Sequence, residues 1–272
     1  MDKNYKIGIV GLGLIGGSIL KVLHKDFETY VVSQSKATIE KAKKYSRNVS
    51  LNLDVLKPCS IIFVCTPMNK TIEMLDKLES VLSADTIVAD VSSLKCFLCD
   101  KKRPYKFIPT HPMAGTEFSG FDNSFDSLFN SAKWVLTPLE ETSVDDANKL
   151  VELIEFMGAV AVFATPSEHD EAVALISHMP MLISQAIFKT AQGNDLALKL
   201  AASGFRDMTR LTLSNEEMAE DMMNLNSDNI QTSVLKLYSS VGELLGKDYK
   251  EQITKIKKCR HDMYLDGKNI VE

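Results

Sequence analysis

A glycine-rich turn near the start of the chain joins a short apolar run to a helical pattern. The run KIGIV at residues 6–10 leads directly into Gly11-Leu12-Gly13-Leu14-Ile15-Gly16, and Gly17-Ser18-Ile19-Leu20 follows. In such a strand–turn–helix unit the first glycine allows the tight turn, the second lets a pyrophosphate approach the backbone, and the third allows close helix–strand packing. The N–H groups that begin the helix also favour an anion. GxGxxG alone is a weak signal, but in this context it predicts a dinucleotide-binding site.

Short apolar runs alternate with helical patterns over the first 165 residues. The runs IIFVC and TIVAD show no polar alternation, as expected for strands covered on both faces. Strands are predicted at 6–10, 29–32, 60–65, 86–90, 106–110, 134–137 and 160–164, and helices at 38–45, 70–82 and 144–157. Because this alternation specifies a parallel sheet with helices on both faces, we predict an α/β Rossmann-type domain over residues 1–165.

After Thr165-Pro166 the pattern becomes helical throughout. Helices are predicted at 167–191, 196–202, 215–245 and 249–264, with Ser167 as the cap of the first one. The stretch EAVALISHMPMLISQAIFKTA is apolar on nearly all sides, and a domain of ~105 residues would cover such a helix poorly. We therefore predict an all-α C-terminal dimerisation domain over residues 166–272, where helices of two subunits share one core. Burial against the first domain alone is the alternative.

Composition narrows the classes of partner. The chain of 272 residues has 31 basic and 36 acidic residues and no basic tract, which argues against nucleic acid or an anionic membrane. It shows no signal-peptide pattern and no run of ~20 apolar residues. Five scattered cysteines make a disulfide framework unexpected and fit a reducing, cytoplasmic compartment. The pair Cys96 and Cys99 lacks a second ligand pair, so no metal is predicted.

The end of the second predicted strand bears on which cofactor is bound. A chain that prefers NAD usually presents an acid there, but here the residues are Ser33, Gln34, Ser35 and Lys36, with no acid before Glu40. Hydroxyl, amide and ammonium groups accept a 2′-phosphate that a carboxylate would repel, which favours NADP. No Arg is present to clamp the phosphate, so NAD stays the alternative. The predicted cofactor-binding residues are Gly11, Gly13, Leu14, Ile15, Gly16, Ser33, Gln34, Ser35, Lys36, Thr66 and Pro67.

Three further stretches carry polar groups beside apolar segments, at positions where packing of a core does not require them. They are DVSSLK at 90–95, HPMAGT at 111–116 and SGFRDMTR at 203–210, the last within an otherwise apolar domain. His111 follows a strand in a loop shaped by proline and glycine, and it is the best general base because histidine titrates near neutral pH. Arg210 suits a substrate carboxylate. Together these residues indicate hydride transfer to or from an anionic small molecule.

Other polar residues allow a structural interpretation. Arg206 and Asp207 are adjacent, so we expect them to satisfy each other or nearby groups. His178, in the middle of a predicted helix, is either a core histidine or a site residue. Neither choice follows from the residues alone.

Five motifs together resemble a known family. GLGLIGGS, DVSSLK, HPMAGTEFSG, SHMP and GFRDMTR occur in the order and spacing of the TyrA family, the prephenate and arogenate dehydrogenases of tyrosine biosynthesis. The resemblance implies an active site between the two domains, with His111 as the catalytic histidine at the ring hydroxyl. It also implies that Ser93 hydrogen-bonds that histidine and the hydroxyl. Arg210 matches the carboxylate ligand, and His178 and Gly204 fall on substrate-binding positions.

The chain is most similar to the cyanobacterial arogenate dehydrogenases, which favour NADP. This likeness rests on the segments VLTP, TPSEHDEAVA and ASGFRD. It also rests on Met181 of SHMPM, which stands where many bacterial members have the second histidine of SHLPH. We therefore expect oxidative decarboxylation of L-arogenate to L-tyrosine by a cytoplasmic homodimer. Prephenate dehydrogenase activity, giving 4-hydroxyphenylpyruvate with NAD or NADP, is the alternative. More distant alternatives are a reductase of the 6-phosphogluconate or imine-reductase type and an inactive cofactor-binding protein.

Overall fold

A computed structural model describes residues 4–116, 118–246 and 248–265 of the chain. It divides into two compact units, the first ending at His169 and the second beginning at Asp170.

The first unit is built on a six-stranded parallel sheet. Its strands are β1 (Lys6–Val10), β2 (Glu28–Val32), β3 (Asn48–Ser50), β4 (Ile61–Val64), β5 (Ile87–Asp90) and β6 (Lys106–Ile108). Their order is β3-β2-β1-β4-β5-β6, and every pair is parallel. The order reverses beside β1, which is the switch point where open α/β sheets bind ligands. The predicted Rossmann-type fold is confirmed.

Helices cover this sheet on both faces. They are α1 (Leu14–Leu23), α2 (Lys36–Ala42), α3 (Met68–Leu78) and α4 (Val144–Phe156). In β4, Ile61 and Phe63 belong to one hydrophobic core, whereas Ile62 and Val64 belong to a second. Because side chains alternate between the faces of a strand, a strand buried on both faces reads as one continuous apolar run.

A second, three-stranded sheet extends the first unit. It contains β7 (Thr110–Pro112), β8 (Lys133–Leu136) and β9 (Val160–Phe163), in which β7 and β8 are antiparallel and β8 and β9 are parallel. A single strand over 106–110 is thus wrong, because β6 ends before Pro109 and β7 joins the other sheet. Proline has no N–H to donate to a ladder, which suits a change of sheet.

The described residues of the second unit form helices and no strand. After α5 (Pro166–Val173) comes one turn of π-helix, Ala174–His178, and then α6 (Met179–Ala191). The remaining helices are α7 (Asp195–Lys199), α8 (Ser203–Met208), α9 (Glu216–Leu225), α10 (Ser227–Leu244) and α11 (Tyr249–Leu265). The helical character of the C-terminal half is confirmed.

Several helix bounds differ from the sequence-based expectation: α2, α3 and α7 are shifted by one to four residues, and α8 was not predicted. Two further differences have a clear local cause. The cap of α5 is Thr165 and not Ser167: the Glu168 N–H donates to the Thr165 hydroxyl at 3.2 Å, and the Thr165 N–H donates to the Glu168 carboxylate at 2.8 Å. This reciprocal capping box starts the helix at Pro166. The predicted helix 215–245 is broken at Asn226, whose φ of −129° and ψ of 24° are not helical.

The apolar stretch around α6 is only partly covered within the chain. Leu175, Ile176 and Phe188 are exposed, whereas Met181 and Ser184 are buried. By length and composition Pro166–Ala191 could cross a bilayer, a property that core helices of soluble proteins share.

Candidate functional site

The glycine turn between β1 and α1 has two packed glycines and one open one. Gly11 has a φ of +91°, and a Cβ atom there would lie 2.5 Å from the Cys65 carbonyl oxygen. A Cβ atom at Gly16 would collide with the Gly11 carbonyl oxygen, but one at Gly13 would meet nothing within 4 Å. Gly13 also precedes α1, whose first turn has no acidic residue. The open backbone at Gly13 therefore fits a pyrophosphate.

The loop after β4 lies against this turn, as the Gly11–Cys65 approach shows. Thr66 and Pro67, both predicted to bind the cofactor, belong to this loop. The Thr66 hydroxyl lies 3.2 Å from the Thr71 hydroxyl, which in turn lies 3.1 Å from the hydroxyl of Ser92. This chain of hydroxyls connects the loops after β4 and β5. Burial raises the pKa of the Cys65 thiol well above its usual range, so it stays protonated at neutral pH.

The end of β2 carries neutral and basic groups. Ser33 is buried, and its hydroxyl oxygen accepts the Ser35 N–H at 3.3 Å. The Ser35 hydroxyl caps α2 by accepting the Thr38 N–H at 3.2 Å. Gln34 and Lys36 are exposed, and the first turn of α2 has no acidic residue. Binding of a cofactor by these four residues stays a prediction.

A buried ion pair joins the loop after β5 to β7. Lys95 and Asp90 are fully buried, and the Lys95 ammonium donates to the Asp90 carboxylate and to the Thr110 carbonyl, each at 2.5 Å. The Asp90 carboxylate also accepts the N–H groups of Thr110 at 3.0 Å and Ser92 at 2.8 Å. The Trp134 indole N–H donates to the Thr110 hydroxyl at 3.0 Å. These bonds hold the backbone of the loop after β5 at Ser92 and that of β7 at Thr110, the residue before His111.

Ser93 is half-buried and lies between Ser92 and Lys95 in the same loop. Its neighbours are anchored by the pair, so its backbone is held too. The hydrogen bond from Ser93 to His111 stays a prediction.

His111, half-buried at the centre of β7, contacts a second histidine. Its Nδ1 lies 2.9 Å from Nε2 of His169, and the two rings meet edge to face with centroids 5.1 Å apart. His169 is buried on α5, four residues after the capping threonine. When the Nδ1–H of His111 donates in this bond, its Nε2 keeps the lone pair that a general base needs. Sequence reasoning missed His169, for which the only signal was its place in TPSEHDEAVA.

In the second unit, His178 ends the π-helical turn and is buried. Its Nδ1 lies 3.2 Å from the side-chain nitrogen of Asn226, which also donates to the Asp170 carbonyl at 2.9 Å. Asn226 was not among the predicted site residues.

The charged residues of the GFRDMTR segment are solvent-exposed within the chain, although the segment was expected within an otherwise apolar domain, and only Thr209 of the segment is buried. Gly204, Arg206, Asp207 and Arg210 are all exposed. Arg206 and Asp207 form an ion pair with 3.7 Å between Nε and Oδ1. Arg210 begins the 3-10 turn Arg210–Leu213. Its role as a carboxylate ligand stays a prediction, and so do the roles of Gly204 and His178.

Within the described residues, no group of three or more His, Cys, Asp and Glu side chains is arranged to hold a metal ion. Cys59, Cys65, Cys96, Cys99 and Cys259 are free thiols. Burial raises the pKa of Cys59 to about 12.

Two family models match the chain in succession. One, described as prephenate dehydrogenase, nucleotide-binding domain, matches residues 17–163. The other, described as prephenate dehydrogenase, dimerization domain, matches residues 165–258. Together they cover β2 to β6 of the parallel sheet, the small sheet and most of the helical unit, whereas β1 and the glycine turn at 11–16 precede the matched residues.

Individual proteins show the same similarity. A prephenate dehydrogenase of Bacillus subtilis is 30% identical over 82% of this chain, and the match spans only 64% of that protein's length. The crystal structure of Synechocystis arogenate dehydrogenase is 33% identical, with a TM-score of 0.81 over 96% of this chain and 98% of the other. The crystal structure of Aquifex aeolicus prephenate dehydrogenase in complex with hydroxyphenyl propionate and NAD+ is 25% identical in sequence. Its TM-score is 0.84, and the match covers 95% of this chain and 98% of the other.

Proposed function

This chain belongs to the prephenate dehydrogenase family, and on that premise we propose that it oxidises and decarboxylates L-arogenate to L-tyrosine with reduction of NADP. One observation carries the proposal. Val10, Val64 and Asp90 are in register across β1, β4 and β5, so the glycine turn, the Thr66 loop and the Ser93 loop leave the same edge of the sheet. The Asp90–Lys95 pair then anchors the strand that carries His111 beside that edge.

Arogenate is the favoured substrate. The 33% identity to Synechocystis arogenate dehydrogenase over nearly the whole chain supports it, as do the motifs shared with the cyanobacterial group. Prephenate is the second candidate, supported by the Bacillus subtilis relative. The two substrates differ only in an amino or a keto group on the side chain.

NADP is the favoured cofactor because a 2′-phosphate would meet no carboxylate at the end of β2. Gly11, Gly13 and Gly16 would hold the pyrophosphate, and Ser33 and Lys36 would face the 2′-phosphate. The Aquifex aeolicus structure contains NAD+, so NAD is the alternative.

The reaction needs a base, an anion ligand and a hydride acceptor. His111 takes the proton of the C4 hydroxyl at Nε2, with its Nδ1 held by His169. The bound nicotinamide supplies the hydride acceptor for C4. Arg210 holds a substrate carboxylate through a charge-assisted contact. Loss of carbon dioxide from C1 then makes the ring aromatic, which makes the reaction effectively irreversible. Orientation of the reactants can contribute ~7–11 kcal/mol and proton transfer ~10²–10⁴-fold in rate.

We further propose that the protein is a cytoplasmic homodimer. The match to a dimerization domain and the exposed apolar side chains of Leu175, Ile176 and Phe188 support association of two helical units. Free thiols fit a reducing compartment.

Anaerobic turnover of arogenate and of prephenate with NADP and with NAD, followed by absorbance, tests the proposal. The highest kcat/KM should belong to arogenate with NADP. His111→Asn should lower kcat by roughly 10²–10⁴-fold with little change in NADP affinity. His261→Asn, which alters an exposed histidine of α11, is the matched control and should stay near wild type. Absence of turnover with both cyclohexadienols would reject the proposal.

A further inference from the structure

His178 occupies an unusual backbone position. It is the last residue of the π-helical turn Ala174–His178, and only 1% of its surface is exposed. Single π-turns inside α-helices are frequent at functional sites. The residue that meets its ring, Asn226, is itself 5% exposed and lies at the break between α9 and α10. A buried histidine and a buried amide therefore meet where two helices are irregular.

The orientation of the Asn226 amide follows from its partners. Its side-chain nitrogen lies 2.9 Å from the backbone carbonyl oxygen of Asp170, which can only accept a hydrogen bond. The amide NH₂ must therefore point there, since the reversed amide would place two oxygens together. The Asn226 oxygen accepts from the Asn229 side chain at 2.8 Å, which agrees with this orientation.

The same amide nitrogen lies 3.2 Å from Nδ1 of His178. Because the amide group is a donor, Nδ1 must accept and cannot carry a proton. An imidazolium ring would place two donors opposite each other at this distance, so the charged form is excluded as well. The proton of the neutral ring is then on Nε2.

We propose that Asn226 is a positioning residue that holds His178 as the neutral Nε2–H tautomer. His178 thereby presents a hydrogen-bond donor, suited to a carboxylate or hydroxyl oxygen, and cannot act as a base through Nε2. The inference that this oxygen belongs to the substrate rests on the proposed function. It leaves proton abstraction to His111 and gives the two histidines separate tasks.

The tautomer can be measured without any turnover. In protein labelled with ¹⁵N in its five histidines, a spectrum that correlates ring nitrogens with ring protons near neutral pH should show a bare Nδ1 and a protonated Nε2 for His178. The signals are assigned by their loss in His178→Gln. A proton on Nδ1, in the neutral or the charged ring, would overturn the proposal. This wild-type measurement stands even where a variant fails to fold.

Replacement of the Asn226 side-chain amide tests whether this group fixes the tautomer of His178. Asn226→Asp presents only acceptors, so the His178 signals should change to a protonated Nδ1. Asn224→Asp, which makes the same change of charge at an exposed position of α9, should leave the pattern unaltered. An unaltered pattern in Asn226→Asp, or an equal change in both variants, would refute the role of Asn226.

Kinetics test the link to the substrate. Asn226→Ala frees the proton of His178 to occupy either nitrogen, so KM should rise roughly 3- to 10-fold while kcat stays within about threefold. A loss of kcat with constant KM would contradict a binding role. If neither cyclohexadienol is turned over, the proposed function fails, whereas the tautomer and its dependence on Asn226 are still decided by the spectra.

Discussion

The Nδ1 atom of His111 lies 2.9 Å from the Nε2 atom of His169, so the proposed base is hydrogen-bonded to a second, buried imidazole. In serine hydrolases a carboxylate occupies the equivalent place and stabilises the imidazolium that forms. A neutral imidazole can fix the tautomer and orientation of His111 in the same way, but it stabilises the positive charge less than an anion would. We therefore infer that His169 mainly orients the His111 ring and contributes less to stabilising its positively charged form.

Replacement of His169 should lower kcat more than it lowers the affinity for NADP. His169→Phe keeps a ring but loses the acceptor, so kcat should fall roughly 10- to 100-fold while NADP affinity is unchanged. His169→Gln retains a polar group and should recover most of the lost kcat. Steady-state kinetics and a fluorescence titration with NADPH measure these effects. Equal losses in both variants would indicate that His169 serves packing alone.

Removal of Lys95 should destabilise the first unit. Lys95→Met leaves the Asp90 carboxylate buried without its cation, which should lower the free energy of unfolding by about 3–5 kcal/mol. Combination with Asp90→Asn should recover part of the loss. Lys101→Met removes an exposed ammonium group from its ion pairs with Asp76 and Glu79 and should cost at most about 1 kcal/mol. Urea denaturation measures all three, and similar values for Lys95→Met and Lys101→Met would contradict the importance of the buried pair.

Two glycine substitutions should separate folding from cofactor binding. Gly13→Ala meets no atom within 4 Å, so its unfolding free energy should stay within about 1 kcal/mol of wild type. The added methyl group would occupy the proposed pyrophosphate position, and Kd for NADP should rise at least about 10-fold. Gly16→Ala collides with the Gly11 carbonyl and should cost roughly 1–3 kcal/mol of stability. Unchanged NADP affinity in Gly13→Ala would place the cofactor elsewhere.

The two arginines of GFRDMTR provide a matched comparison. Arg210→Gln should raise KM for the cyclohexadienol roughly 10- to 100-fold, because a charge-assisted hydrogen bond to the carboxylate is lost. Arg206 forms an exposed ion pair with Asp207, so Arg206→Gln should change KM by less than about threefold. If the larger effect belongs to Arg206, the carboxylate ligand has been assigned to the wrong residue.

Local patterns determined much of the architecture. The glycine turn, the apolar runs and each helical segment of the C-terminal half are local patterns of up to about 25 residues, and hydrophobic periodicity over such a length indicates a strand or a helix. The three-residue strand β3 (Asn48–Ser50) was missed because so short a segment has no periodicity. The break at Asn226 was missed because the apolar pattern continues through it.

The partners of the functional side chains were decided only by the tertiary structure. His111 and His169 are 58 residues apart in the chain, and His178 and Asn226 are 48 apart. In the sequence Lys95 cannot be distinguished from a surface lysine. Only the fold buries it and places the Asp90 carboxylate and the Thr110 carbonyl beside its ammonium group. The sequence by itself determined the longer strands and helices and which residue types can do the chemistry. Hydrogen-bond partners and tautomers depend on long-range packing, because a polar atom removed from water must bond to whatever group the fold places beside it.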